Sequence, residues 1–192
     1  MSKSKIHIIL TGGTIDSYYE GSVDTVIPKE HSVIPQYLKS LKLYTDFTFS
    51  EICMKDSRDL TSQDRVRIYQ AVKNSKSKRI IITHGTYTIP KTAKFISQNL
   101  KIKNKVIIIT GGMIPLEGFA PSDAPFNLGF SIAESQHLPD GVYVCMNGKI
   151  FRPEEVYIPQ KSVKFIKEGR FTSLAIKKVS QARDQSRFSS LM

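Results

Sequence analysis

The chain has 192 residues, 40% of them hydrophobic, and a formal net charge of +11. That length suits one sizeable core and is short for two. No apolar run approaches the ~20 residues that a membrane-spanning helix needs, and the opening MSKSK lacks the apolar region and small-residue cleavage site of a secretion signal. Cys53 and Cys145 both fall inside apparent strands, where a free cysteine acts as a small hydrophobe. Two such residues make neither a disulfide framework nor a zinc site, and a cytoplasmic protein is the expectation.

In chain order the pattern predicts a strand at 5–10, a glycine loop, a helix near 32–41 and a strand at 47–54. A helix at 62–74 follows, then a strand at 79–84, a helix at 90–100, a strand at 105–111, a helix at 123–136 and a strand at 141–147. The helix at 62–74 has its start signal in Thr61 followed by Asp64, a capping box of the acidic kind. Within it Val66, Ile68, Tyr69 and Val72 recur at helical spacing. Pro90 suits the first turn of the next helix, where its missing N–H costs nothing, and Ala93, Ile96 and Leu100 form a core stripe there. Strands alternating with amphipathic segments predict an α/β fold. The expected form is a doubly wound three-layer sandwich around a mainly parallel sheet, Rossmann- or flavodoxin-like. The domain is expected over 1–171, with 172–192 a basic, partly disordered tail.

Three strings share one shape: IHIILTGGTID (Ile6 to Asp16), RIIITHGTYT (Arg79 to Thr88) and KVIIITGGMIP (Lys105 to Pro115). Each opens with a β-branched run dense enough for a strand buried on both faces. Each closes on glycine and small polar residues, at the carboxyl edge where open α/β sheets bind ligands. Threonine recurs there as Thr11, Thr14, Thr83, Thr86, Thr88 and Thr110, which suggests nucleophilic chemistry or anion binding. In TGGTID the two glycines allow a sharp turn that brings backbone N–H groups near a ligand. The P-loop spacing and its Lys-Ser/Thr ending are absent, and a lone TGGT is equally well a tight structural turn.

The combination is more specific. TGGTID, then KDSRDLT (Lys55 to Thr61), THGTYT, TGGMIP with SDAPFNLG (Ser122 to Gly129), and GVYVCMNGKIF (Gly141 to Phe151) resemble the L-asparaginase family in order and spacing. The resemblance covers about residues 5 to 171 and is closest to short, single-domain members. It implies hydrolysis of a side-chain amide, L-asparagine to L-aspartate and ammonia, through a threonine nucleophile. Thr14 matches that nucleophile, in a motif where Gly13 lies beside the substrate, and Tyr19 matches the loop tyrosine that closes on the site. Ser57 matches the serine that holds the substrate's α-carboxylate. Arg58 takes a position that usually carries a polar side chain, and Asp59 either orients Ser57 or faces a neighbouring subunit. Thr86 matches the second threonine, of a Thr-Lys-Asp group. An alcohol needs a neighbour to take its proton, and the tetrahedral oxyanion needs preorganised N–H donors.

Two departures accompany the match. The family string is usually HGTDT, and here the aspartate is replaced by Tyr87, uncharged at pH 7 because a phenol ionises near ~10. Recognition of a substrate ammonium is thereby weakened, although short relatives also read HGTYT. The relay lysine falls at Ile158 when counted forward from Asn147 and at Lys164 when counted back from EGRF (Glu168 to Phe171). Lys164 is the first choice, Lys161 the second, and loss of the lysine the third.

The remaining residues point to structure. His84, before a glycine at a strand end, reads as a satisfied buried imidazole. Ser122 or Asp123 is expected to cap a helix and Asn127 to pin loops by hydrogen bonds. Glu154 and Glu155 read as solvated. His7, His31 and His137 form no ligand-spaced set, so neither metal nor cofactor is expected. From Lys161 onward eight basic residues (Lys161, Lys164, Lys167, Arg170, Lys177, Lys178, Arg183, Arg187) face only Glu168 and Asp184. No stacking aromatics interleave them, which argues against nucleic acid as a partner. The expected partners are a small amide substrate and further copies of the chain, as homodimer or homotetramer, because full-length relatives complete their sites between subunits. The alternative to an amidohydrolase is a catalytically weak small-ligand-binding module on the same scaffold.

Overall fold

The computed structural model describes residues 5–100, 104–118, 121–157 and 166–167. In chain order it contains β1 (Ile6–Gly12), a 3-10 turn (Thr14–Asp16), β2 (Ser17–Glu20), β3 (Thr25–Pro28), α1 (Ile34–Ser40), β4 (Phe47–Lys55) and a second 3-10 turn (Ser57–Asp59). Next come α2 (Ser62–Asn74), β5 (Arg79–Thr83), a third 3-10 turn (Thr86–Thr88), α3 (Ile89–Asn99), β6 (Val106–Thr110), α4 (Ala124–Glu134), β7 (Gly141–Met146) and β8 (Lys149–Phe151). A short pair, β9 (Val156–Tyr157) and β10 (Ile166–Lys167), ends the described chain.

Six strands form one sheet in the order β4-β1-β5-β6-β7-β8, parallel except for β8, which returns antiparallel to β7. Its isoleucines alternate between two buried faces, as a parallel strand covered on both sides requires. Ile80, Ile82, Ile107 and Ile109 pack with Ile68 and Val72 of α2 and with Ala93 and Ile96 of α3. On the opposite face Ile8 and Ile81 pack with Ile34 and Leu38 of α1 and Leu128 of α4. This is the expected three-layer sandwich. Because β4 and β5 lie on opposite sides of β1, the chain reverses its winding between β1 and β5. Ligands bind at such a switch point.

Several local expectations hold. Thr61 and Asp64 form the capping box of α2, and Pro90 stands in the first turn of α3. Ala93 and Ile96 are buried and Leu100 packs against the same cluster. Val66, at helical spacing with the buried residues of α2, is instead exposed, since its position falls beside the apolar stripe. Three features lie outside the chain-order expectation, the short β9–β10 pair among them. The glycine loop continues into the β2–β3 hairpin, and Asn147 and Gly148, both at positive φ, turn β7 into β8. Among the described residues no helix is long and apolar enough to cross a membrane.

Candidate active site

Three loops meet at the carboxyl edge, and their backbones touch. Gly13, at φ +80 and ψ −178, holds a conformation that glycine alone adopts readily. A Cβ there would lie 2.3 Å from the Gly85 backbone, and a Cβ on Gly85 would lie 2.6 Å from the Ser57 Cβ. The Gly13 N–H donates to the Lys55 carbonyl at 2.8 Å. The ends of β1, β4 and β5 are thereby locked together, and the 3-10 turns that start at Thr14, Ser57 and Thr86 become neighbours. Sequence reasoning had matched these three residues from three distant motifs.

The threonines divide by their partners. Thr11 Oγ1 donates to the Thr83 carbonyl and Thr110 Oγ1 to the Cys145 carbonyl, each at 2.8 Å, so both act as buried cross-strand ties. Thr88 Oγ1 donates to the Ser57 carbonyl at 2.9 Å and fastens the second turn to the third. Thr14 is half-buried, whereas Thr86 is 1% exposed. Ser57 is equally buried, and its hydroxyl has no hydrogen-bond partner among the described residues, a state it shares with Thr83. A buried hydroxyl without a partner is costly, and at a cleft it marks a place where a ligand oxygen or water completes the set.

Arg58 and Tyr87 form the outer rim. The Arg58 guanidinium lies over the Tyr87 ring, 5.1 Å from its centroid. It also forks onto Asp56, with Nε donating to Oδ1 at 3.0 Å and the terminal nitrogen to Oδ2 at 2.7 Å. That hydrogen bonding holds the Asp56 carboxyl below its usual range. Tyr87 is half-exposed. Asp59 is exposed, and its backbone N–H donates to the Asp56 carbonyl at 3.0 Å. Tyr19 stands on β2 opposite Val26, and its hydroxyl donates to Asp24 Oδ1 at 2.5 Å. Lys161, Lys164 and the tail from 172 lie outside the described residues.

Supporting residues fix this edge from behind. His84 is fully buried, with Nδ1 against the Gly85 carbonyl at 2.8 Å and Nε2 against Thr92 Oγ1 at 2.9 Å. Burial pushes its pKa down to about 4, so it is a neutral structural imidazole, as expected. Asn127 Nδ2 donates to the Gly111 carbonyl, and Asn127 Oδ1 accepts from the Asn147 N–H at 2.9 Å. Of the two candidate caps for α4, Ser122 Oγ accepts from the Ala124 N–H, while the Asp123 carboxylate takes the N–H groups of Met113 and Ile114. Among the described residues no three His, Cys, Asp or Glu side chains are grouped to hold a metal ion.

Sequence reasoning missed Asp16. Its side chain is fully buried, two residues after Thr14, and accepts from Ser32 Oγ at 2.9 and 3.0 Å and from the Val33 N–H at 3.0 Å. Burial raises its pKa to about 6 against the pull of those bonds. The only signal for it was a serine before the apolar start of α1, which names a cap but not its distant partner.

Comparison with known proteins identifies the family. The family model described as "Asparaginase, N-terminal" matches residues 5–185. The chain is 29% identical over 162 residues to L-asparaginase 1 of Escherichia coli (strain K12), covering 79% of this chain and 46% of that protein. It is 27% identical over 166 residues to the glutaminase-asparaginase of Acinetobacter glutaminasificans, covering 80% and 49%. Among solved structures, a probable cytoplasmic L-asparaginase from Campylobacter jejuni superposes with a TM-score of 0.74 at 25% identity, covering 88% of this chain and 54% of that one. The chain spans about half the length of the curated relatives it matches. With its motifs converging on one sheet edge and the match running through nearly the whole sequence, the chain belongs to the asparaginase family, to the part described as the N-terminal domain.

Proposed function

We propose that this chain is an amidohydrolase that cleaves the side-chain amide of L-asparagine, or a similar small amide, with Thr14 as nucleophile. The observation that supports the reading is the close backbone approach of three loops, which makes neighbours of the turns that start at Thr14, Ser57 and Thr86. In the first step the Thr14 hydroxyl attacks the amide carbon. The C–N bond then breaks, and the nitrogen takes the hydroxyl proton and leaves as ammonia. Water cleaves the resulting ester, releasing the acid and restoring Thr14. Backbone N–H groups of the glycine turns, other than that of Gly13, which is engaged by the Lys55 carbonyl, are the donors for the oxyanion. Ser57 receives a substrate carboxylate oxygen on its unpaired hydroxyl. Tyr19 and the pair Thr86 and Lys164 carry the proton relay, and Gly13, Arg58, Asp59 and Tyr87 border the substrate. A cytoplasmic homodimer or homotetramer belongs to the same proposal.

The second reading, a binding module with weak catalysis, is favoured by two features. Tyr19 spends its hydroxyl on Asp24, and the rim beside Thr86 carries Tyr87 and a guanidinium rather than a free carboxylate. Ammonia release from L-asparagine, L-glutamine and short amides separates the two. Turnover is expected, and Thr14→Ala should abolish it with an unchanged melting temperature. Ligand binding by the wild type without ammonia from any amide supports the module instead.

A further inference from the structure

The β2–β3 hairpin carries Tyr19 but makes mostly local bonds at its tip, where Ser22 binds Glu20 and Tyr19 binds Asp24. Its entry is tied by Ser17 Oγ to the Gly13 carbonyl at 2.9 Å, and its exit is held by side chains from elsewhere in the fold. Carboxylates from three separate elements converge on residues 29–33. Glu117, after β6, takes Lys29 Nζ at 2.5 Å. Glu51 of β4 accepts the Ser32 N–H at 2.9 Å and faces His31 Nδ1 at 3.0 Å. Asp16 accepts Ser32 Oγ and the Val33 N–H, and its own carbonyl accepts the Lys29 N–H at 2.9 Å.

These three are unequal. Lys29 and Glu117 form a partly exposed pair, and the His31 side chain is 78% exposed, so solvent competes for both contacts. Asp16 is fully buried. It also belongs to the same 3-10 turn as Thr14, with its N–H donating to the Gly13 carbonyl at 3.0 Å. One residue therefore grips the hairpin's exit while being covalently part of its entry.

We infer that Asp16 is a positioning residue: by clasping Ser32 and Val33 it fixes the pivot of the hairpin that carries Tyr19, and so limits where Tyr19 can reach when substrate meets Thr14. The catalytic consequence rests on the function proposed above, whereas the mechanical one does not. Without the clasp, strand pairing from Ser17 to Pro28 still closes the hairpin, but the whole element swings about residues 29–33. The substrate then meets Thr14 with Tyr19 out of place, which lowers kcat more than it raises KM.

The test pairs amide hydrogen exchange with kinetics on the full-length protein. Asp16→Ala is expected to speed exchange across residues 17–33 by about ten- to a hundredfold, the range for losing charged hydrogen bonds, and to leave β5 and β6 unchanged. kcat should fall in step. Asp16→Asn keeps an acceptor for the Val33 N–H, so it should restore most of the protection and of kcat. If Asp16→Ala does not fold, Ser32→Ala removes one side of the clasp and should raise exchange over the same residues. A tip variant, Ser22→Ala, should leave residues 29–33 protected. Unchanged exchange at 17–33 in Asp16→Ala, or in Ser32→Ala where that variant stands in, overturns the inference. So does a loss of kcat with exchange unaltered, since Asp16 would then act on the chemistry directly. Absence of turnover in the wild type refutes the proposed function alone, and the exchange measurement still decides the clasp.

Discussion

Replacing Ser57 with alanine should stabilise the ligand-free protein and impair ligand binding, two effects of one hydroxyl. The Ser57 side chain is 1% exposed and its oxygen has no hydrogen-bond partner among the described residues. Leaving such a group buried and unpaired costs about 1–3 kcal/mol. Deleting one oxygen forfeits some packing, so a net gain of about 1–2 kcal/mol is expected. For a chain of this length that corresponds to a rise in Tm of about 2–8 °C, readable by calorimetry. The same variant loses the donor offered to a substrate carboxylate. L-Aspartate, the expected product, should then raise Tm strongly in the wild type and weakly in the variant. Calorimetric titration should show a Kd weakened about tenfold or more, since a hydrogen bond to a charged group is worth about 1.5–3 kcal/mol. A variant less stable than the wild type, or one that binds L-aspartate equally well, refutes the reasoning. The hydroxyl would then be a structural tie like that of Thr11.

Gly13→Ala places a Cβ 2.3 Å from the Gly85 backbone on a residue with φ +80; overpacking and strain together should cost about 3 kcal/mol or more, seen as a lowered denaturation midpoint and lost turnover. His84 supplies a pH signature. Unfolded histidine takes its proton near 6.5, whereas the buried ring does so only near 4, so stability is complete above pH 6.5 and falls as the pH drops towards 4. The loss should approach about 3 kcal/mol by urea denaturation, and His84→Gln should flatten that part of the profile. Lys164→Met should abolish turnover while Lys161→Met leaves it nearly intact; the reverse result moves the relay lysine by three residues, and two active variants exclude both.

The strands were legible because burial on both faces demands unbroken β-branched runs, which Ile80–Ile82 and Ile107–Ile109 display. The start of α2 was legible because Thr61 and Asp64 satisfy each other locally. The β2–β3 hairpin was not, since Tyr18, Tyr19, Val23 and Val26 are all exposed and no alternation separates an inner face from an outer one. The turn from β7 to β8 carried a signal in the Asn147–Gly148 pair, which suits a tight turn between strands. At the site, residue types were visible but their employment was not. The motifs singled out Thr14 and Thr86 among six threonines, but only the geometry shows that Thr11, Thr88 and Thr110 tie backbones while Thr83 is buried without a partner among the described residues. Asp16 was hidden for the same reason, because its partners lie 16 and 17 residues away.

The backbone contacts among Gly13, Gly85 and Ser57 bear on how such a site can be redesigned. An edge assembled at sub-van der Waals tolerance for any added methyl has no freedom to adjust to a new substrate, and variation there ends in unfolding rather than altered selectivity. Among the described residues, the side chains of Arg58 and Tyr87 are held by a half-exposed stack and an ion pair to Asp56, so they can change without moving the three turns. Libraries seeking activity on other amides should therefore diversify positions 58 and 87 and the hairpin tip at 20–24, and leave every glycine of the inner ring alone.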